Sequence, residues 1–170
     1  NFVLPKRGEF TDIFLQDTSE FTIDRGTYLS EAALEAESER SSSFMRNNGF
    51  YDLNQNNYFF VADTITNPNA ASLTLTINEY TRNESSKNAS PIRKFYIDEV
   101  NISYPQTLKI RDKVLRGLNT IIPGEEYSES VVNNTYSHLD NYNQYSDYIE
   151  IYNEYNHKIN LKGYHPSESE

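Results

Sequence analysis

Leu73, Leu75 and Ile77 alternate with Thr74, Thr76 and Asn78, the period-two pattern of a strand with one buried face and one wet face. The run Tyr58-Phe59-Phe60-Val61-Ala62 precedes it, and Thr66-Asn67-Pro68-Asn69 reads as the turn that makes the pair a hairpin. Ahead of the hairpin the period changes. Residues 31–47 read as a helix with Ser30 as N-cap and Glu31, Glu35 and Glu37 near its positive end. Asn47-Asn48-Gly49 tolerates the left-handed backbone that stops a helix. The buried stripe expected for it is Ala33, Leu34, Ala36, Phe44 and Met45, with Arg40 and the serines at 41–43 outward or under a neighbour. Residues 21–24 read as a short extended segment. Residues 1–20, with Pro5 and Gly8 ahead of Phe10, Ile13, Phe14 and Leu15, read as irregular, the end of an earlier element.

The second half opens with Phe95 to Ile102, a strand whose parity shifts between Ile97 and Val100 as a bulge would make it do. A helix is expected from about Leu108 to Leu118. A second, from Ser128 to about Tyr142, carries Val131, Val132, Thr135, Tyr136, Leu139 and Tyr142 on one face. Tyr148–Tyr152 and Lys158–Lys162 close the pattern as another hairpin, with Ile149 and Ile151 facing Ile159 and Leu161. The order is strand, helix, helix, strand, strand, and the first half shows the last three of these. A Gly, a Tyr and a Ser-Glu pair that opens a helix occur both in RGTYLSEAAL and in GEEYSES. A small α+β unit built in tandem is the simplest reading. The boundaries are a first domain over 1–81 with an uncertain opening strand, an almost wholly polar linker over 82–91, a second domain over 92–165 and an acidic tail over 166–170.

Composition narrows the partners. The net charge of −10 disfavours nucleic acid, whose binding runs on Lys and Arg against phosphates, and disfavours an anionic membrane surface. No apolar run approaches the roughly 20 residues of a spanning helix. With no Cys there are no disulfides, thiolate zinc sites or thiol nucleophiles.

Three stretches carry a resemblance. Phe44-Met45-Arg46-Asn47-Asn48-Gly49-Phe50-Tyr51, Lys94-Phe95-Tyr96-Ile97-Asp98-Glu99-Val100 and Ile122-Pro123-Gly124-Glu125-Glu126-Tyr127-Ser128 occur in the order seen in POTRA domains. The chain resembles these polypeptide-transport-associated repeats, which precede the β-barrel in BamA and TamA type outer membrane assembly factors, particularly the Bacteroidetes surface antigen branch. Thr135-Tyr136-Ser137-His138-Leu139 fits the helix that follows. The likeness covers about residues 21–162. It departs from the family at Asn143-Gln144-Tyr145, where a Gly-aromatic pair is usual, and in residues 1–20, so the first unit is expected to be incomplete. The resemblance implies tandem β-α-α-β-β units, each a three-stranded mixed sheet under two helices. It implies a periplasmic setting in a Gram-negative bacterium, as part of an outer membrane protein anchored by a C-terminal barrel. The partners implied are unfolded outer membrane β-barrel proteins and accessory lipoproteins or chaperones, with no nucleic acid, no membrane contact in this stretch, no cofactor and no catalysis. The client-binding edge it implies is the second strand of each repeat: Tyr58, Phe59, Phe60, Val61 and Ala62, and Tyr148, Ile149, Glu150, Ile151 and Tyr152.

The side-chain chemistry is thin beside this. His138 and Asp140 diverge on a helix, so no relay is suggested, and His157 and His165 fall in a turn and near Pro166. No zinc motif or Gly-rich phosphate loop occurs, and Glu125-Glu126 at a helix start suits the macrodipole better than a glycosidase pair. Tyr is abundant, clustering at 136, 142, 145, 148, 152 and 155, which keeps an extracytoplasmic carbohydrate-binding domain as the rival reading.

Overall fold

In the computed structural model, residues 1–6, 8–65, 70–78, 80–81, 90–102, 112–140, 149–153 and 158–160 are described. The protein is mixed α+β, with four helices and a three-stranded mixed sheet among these residues. It forms two compact units, residues 1–94 and 95–170.

The first unit runs β1 (Phe2–Val3), α1 (Glu9–Asp17), α2 (Glu31–Asn47), β2 (Tyr58–Asp63), β3 (Ser72–Ile77), then the short pair β4 (Tyr80–Thr81) and β5 (Ser90–Pro91). The sheet order is β1-β3-β2, with β1 parallel and β2 antiparallel to β3. The expectation that residues 1–20 are irregular is therefore corrected: they hold an opening strand and a helix. The signal was present at 10, 13, 14 and 17, a helical spacing, but its last position is Asp17, a buried carboxylate that masks the stripe. Phe2 fixes β1 by placing its ring 6.0 Å from that of Phe14 and 5.3 Å from that of Phe21. Residues 21–24 form no strand; the Thr22 N–H is spent on the Glu37 carboxylate, 2.9 Å away.

Helix α2 starts and stops where its caps dictate. The Ser30 hydroxyl accepts from the Ala33 N–H at 3.2 Å, and the N–H groups of Asn48 and Phe50 both close on the Met45 carbonyl. Its buried stripe differs from the one expected. Glu37, Ser38, Ser41, Ser42 and Met45 are buried, Ala33, Leu34 and Phe44 are only half-buried, and Ala36 is exposed. The serines bury at small volume because the helix itself satisfies two of them, Ser38 on the Leu34 carbonyl at 2.9 Å and Ser42 on that of Glu39 at 3.1 Å. The apolar core gathers Phe10, Phe14, Met45, Phe50, Leu53, Tyr58, Leu75 and Ile77.

The second unit repeats the order as β6 (Ile97–Ile102), α3 (Asp112–Leu118), α4 (Glu129–Asp140), β7 (Ile149–Asn153) and β8 (Lys158–Asn160). The expected bulge is present: the β6–β7 register shifts between Ile97 and Glu99. Val132, Thr135 and Leu139 of α4 are buried, with Leu115 of α3 and with Phe95, Ile97, Ile121 and Tyr127. Thr135 pins the loop before α4, accepting from the Thr120 N–H at 3.0 Å. The expected turn at 66–69, most of the linker, Leu108, Tyr142 and Leu161 lie outside the described residues.

Candidate functional site

The margin of the first sheet is decided by hydrogen-bond parity. The Leu75 N–H donates to the Asn1 carbonyl at 2.9 Å, so the main-chain groups of Leu73, Leu75 and Ile77 face β1 and those of Thr74 and Thr76 face β2. Thr74 and Thr76 stand opposite Val61 and Phe59, which are therefore the hydrogen-bonded residues of β2. Phe60 and Ala62 are left with N–H and C=O groups pointing away from the sheet, whereas the outward N–H of Tyr58 closes back on the Gln55 carbonyl of the turn before the strand. All five residues expected on this edge lie on the strand, and two of them, Phe60 and Ala62, carry its open N–H groups.

Side chains split by the same parity. Tyr58, Phe60 and Ala62 share the face of Leu73, Leu75 and Ile77, whereas Phe59 and Val61, 48% and 63% exposed, lie on the opposite face with Thr74 and Thr76. The edge thus combines unpaired main chain with apolar side chains on the wet face, the combination that invites another strand. Each added main-chain hydrogen bond contributes a net of only about 0.5–1.5 kcal/mol, and its strength depends little on the incoming sequence.

A buried polar cluster anchors the near end of this strand. The Tyr58 hydroxyl donates to Ser41 Oγ at 3.1 Å, and Ser41 donates to Asp17 Oδ2 at 2.6 Å. Arg40 grips Asp17 with two hydrogen bonds of 2.7 and 3.0 Å, while its Nε and Nη2 reach Glu37 Oε1 at 3.0 and 2.6 Å. The other Glu37 oxygen takes both the N–H and the hydroxyl of Thr22. Both carboxylates are fully buried, and the guanidinium lies 5.5 Å from the centre of the Phe21 ring. Burial opposes the charge on Glu37, yet the bonds from Arg40 and Thr22 outweigh it and hold the carboxyl below its ordinary range. Bonding to Asp17, against the cost of burial, raises Arg40 further above its already high value. Burial likewise pushes the Tyr58 hydroxyl up, so it stays a donor. The cluster ties α1, the 18–22 turn, α2 and β2 together. Its members escaped the sequence reading because the stripe Leu34, Glu37, Ser38, Ser41, Ser42, Met45 has helical spacing without apolar character.

The edge expected in the second unit is corrected. Ile149–Asn153 is paired on one side with β6 and on the other with β8, so it is the centre of its sheet and offers no open margin. The six-residue β6 reaches along the second strand here, whereas the two-residue β1 pairs with the third strand in the first unit. Tyr148 lies outside the described residues, as do His157, His165 and the tyrosines at 142, 145 and 155. His138 is exposed on α4 with Nδ1 3.3 Å from the Leu118 carbonyl, and Tyr136 is half-buried. Among the described residues no group of three or more His, Asp or Glu is placed to hold a metal ion, and no helix is long and apolar enough to cross a membrane.

No protein-family model matches the chain, and it matches no curated protein and no solved structure.

Proposed function

We propose that the chain is a tandem POTRA-like region of a periplasmic outer membrane assembly factor, and that it holds unfolded outer membrane β-barrel proteins by strand addition. The observation that carries the reading is the open margin of β2, with Phe60 and Ala62 presenting main-chain groups outward. The β-α-α-β-β order in both units supports it, as does the Gly-turn ahead of the second helix of each, Gly26 at φ 89° and Gly124 at φ 86°. An unfolded barrel protein brings extended segments of alternating apolar character. Main-chain pairing accepts many such segments, and the exposed faces of Phe59 and Val61 favour those with apolar residues opposite them. Accessory subunits of the same assembly are the second class of partner. Neither role calls on a catalytic group or a cofactor.

Parity supplies a sharp test. Ala62→Pro removes an outward N–H and leaves the β2–β3 ladder intact, as edge prolines do, whereas Val61→Pro removes a ladder donor. Titrating extended outer membrane peptides into the labelled protein should shift the amides of residues 58–62. Ala62→Pro should weaken that binding about tenfold with little change in melting temperature. Equal binding by Ala62→Pro, or shifts that avoid 58–62, would sink the edge reading.

A further inference from the structure

The open stretch of β2 is short and closed off at both ends. Ahead of it the Tyr58 N–H bonds to the Gln55 carbonyl, and behind it the Ile65 N–H bonds to Asp63 Oδ1 at 2.9 Å. The outward N–H donors between these closures are those of Phe60 and Ala62, and the residue midway between them is Val61. From Tyr58 to Ala62 the strand carries no charge, no proline and no bulge, the devices with which a solvent-facing edge turns another strand away. Phe59 and Val61 nevertheless stand 48% and 63% exposed on its wet face.

A strand whose two free donors flank one residue is complementary to itself. When two copies lie antiparallel about a two-fold axis through Val61, Phe60 of each stands opposite Ala62 of the other, and every free N–H meets an outward carbonyl. The neighbouring registers do worse. Setting Phe60 against Phe60 places the closed N–H of Tyr58 opposite Ala62, so each copy forfeits a bond. Setting Ala62 against Ala62 puts Phe60 opposite Thr64, past the last strand residue, Asp63. In the favoured register Val61 faces Val61 as a non-hydrogen-bonded pair, with Cα atoms about 4.5 Å apart, and Phe59 lies diagonally across from it. On the other face the half-buried Phe60 meets the small, exposed Ala62. Asp63 falls opposite Phe59, so no two carboxylates are set face to face.

We propose that β2 pairs antiparallel with β2 of a second copy of this chain, joining two three-stranded sheets into one of six strands, and that this self-pairing closes the margin to clients. The proposal rests on the same open margin as the client reading, and a client and a second copy exclude each other there. The charge of −10 on each chain opposes association, so the pairing is weak and tightens as salt screens the repulsion.

The chain has no cysteine, so a single one introduced at the axis reports on self-pairing alone. In the full chain, Val61→Cys should form a disulfide-linked dimer under mild oxidation at least about tenfold faster than Val3→Cys, because only the axis residue meets its own copy at the short spacing of a non-hydrogen-bonded pair. Val3 is comparably exposed, at 53%, but lies on the opposite edge strand. Sedimentation equilibrium should show a reversible dimer that tightens as NaCl is raised and that Ala62→Pro weakens about tenfold, since the proline removes one outward donor from each copy. An extended outer membrane peptide that shifts the amides of residues 58–62 should dissociate the dimer as it saturates. Cross-linking of Val61→Cys no faster than that of Val3→Cys, an undiminished dimer in Ala62→Pro, or a peptide that occupies 58–62 without dissociating the dimer would each overturn the self-pairing. A monomer that still binds the peptide would sink the self-pairing and leave the client reading intact. A dimer with these properties that binds no peptide would uphold the self-pairing and sink the client reading.

Discussion

The two units pass through the same succession of elements and then bury different material. In the first, α2 turns Glu37, Ser38, Ser41 and Ser42 inward: Ser41 meets Tyr58 and Asp17, Glu37 meets Thr22, and a single guanidinium, that of Arg40, bridges Asp17 and Glu37. In the second, α4 turns Val132, Thr135 and Leu139 inward, and the polar content among its described buried side chains reduces to one threonine. Strand pairing differs as well, first to third in one unit and first to second in the other. Element order therefore does not fix which strand is left at the margin, and a site that depends on an open second strand belongs to the first unit and not to the other.

The largest expected effect removes the hub of the polar cluster. Arg40→Met leaves two buried carboxylates without their counter-ion, and breaking a buried pair costs about 3–5 kcal/mol. Hydrogen exchange read unit by unit should show protection lost in residues 31–47 and kept in 129–139. Equal loss in both would mean that the units do not fold as separate cooperative bodies. Acid should discriminate between them in the same direction. Glu37 has a folded pKa below its ordinary value of 4.5, so its contribution is present above that pH and is lost as pH falls through and below it. Denaturant midpoints should drop with acid for the first unit, and Glu37→Gln, although less stable at neutral pH, should flatten that slope.

A smaller effect lies in the second unit. Thr135→Val preserves shape but leaves the Thr120 N–H without its acceptor, for a loss of about 1–3 kcal/mol, visible as a lower urea midpoint for residues 112–140 alone. Smallest is the shared turn. An added Cβ at Gly26 or Gly124 meets nothing within 4 Å, so alanine at either should cost only the left-handed backbone, about 1–2 kcal/mol. Matched costs in thermal melts would support equivalent turns. A clearly larger loss at Gly124 would show that its bond to Ile97 strains with the substitution.

Much of the local structure was legible. Ser30 and the Asn48–Gly49 stop bound α2, the Leu-Thr alternation set the faces of β3, and the parity break near Ile97 marked the bulge, because caps, pleat and parity are short-range properties of neighbouring residues. The Tyr58–Ala62 strand was legible in the same way. The hidden elements share one cause. Helix α1 ends its stripe in Asp17 and α2 builds its stripe from serines and Glu37, so hydropathy could not report faces whose burial depends on partners 15 to 24 residues distant.

The chain by itself determined the succession of elements, the acidic surface and the doubled Gly-turn, since each follows from side-chain period, charge count or backbone freedom at single positions. Tertiary structure alone decided which strand stands at the margin, that Ile149–Asn153 is enclosed, and that one arginine neutralises carboxylates from two helices. Those are facts of long-range pairing, where the gain from a partner depends on what else competes for the same edge.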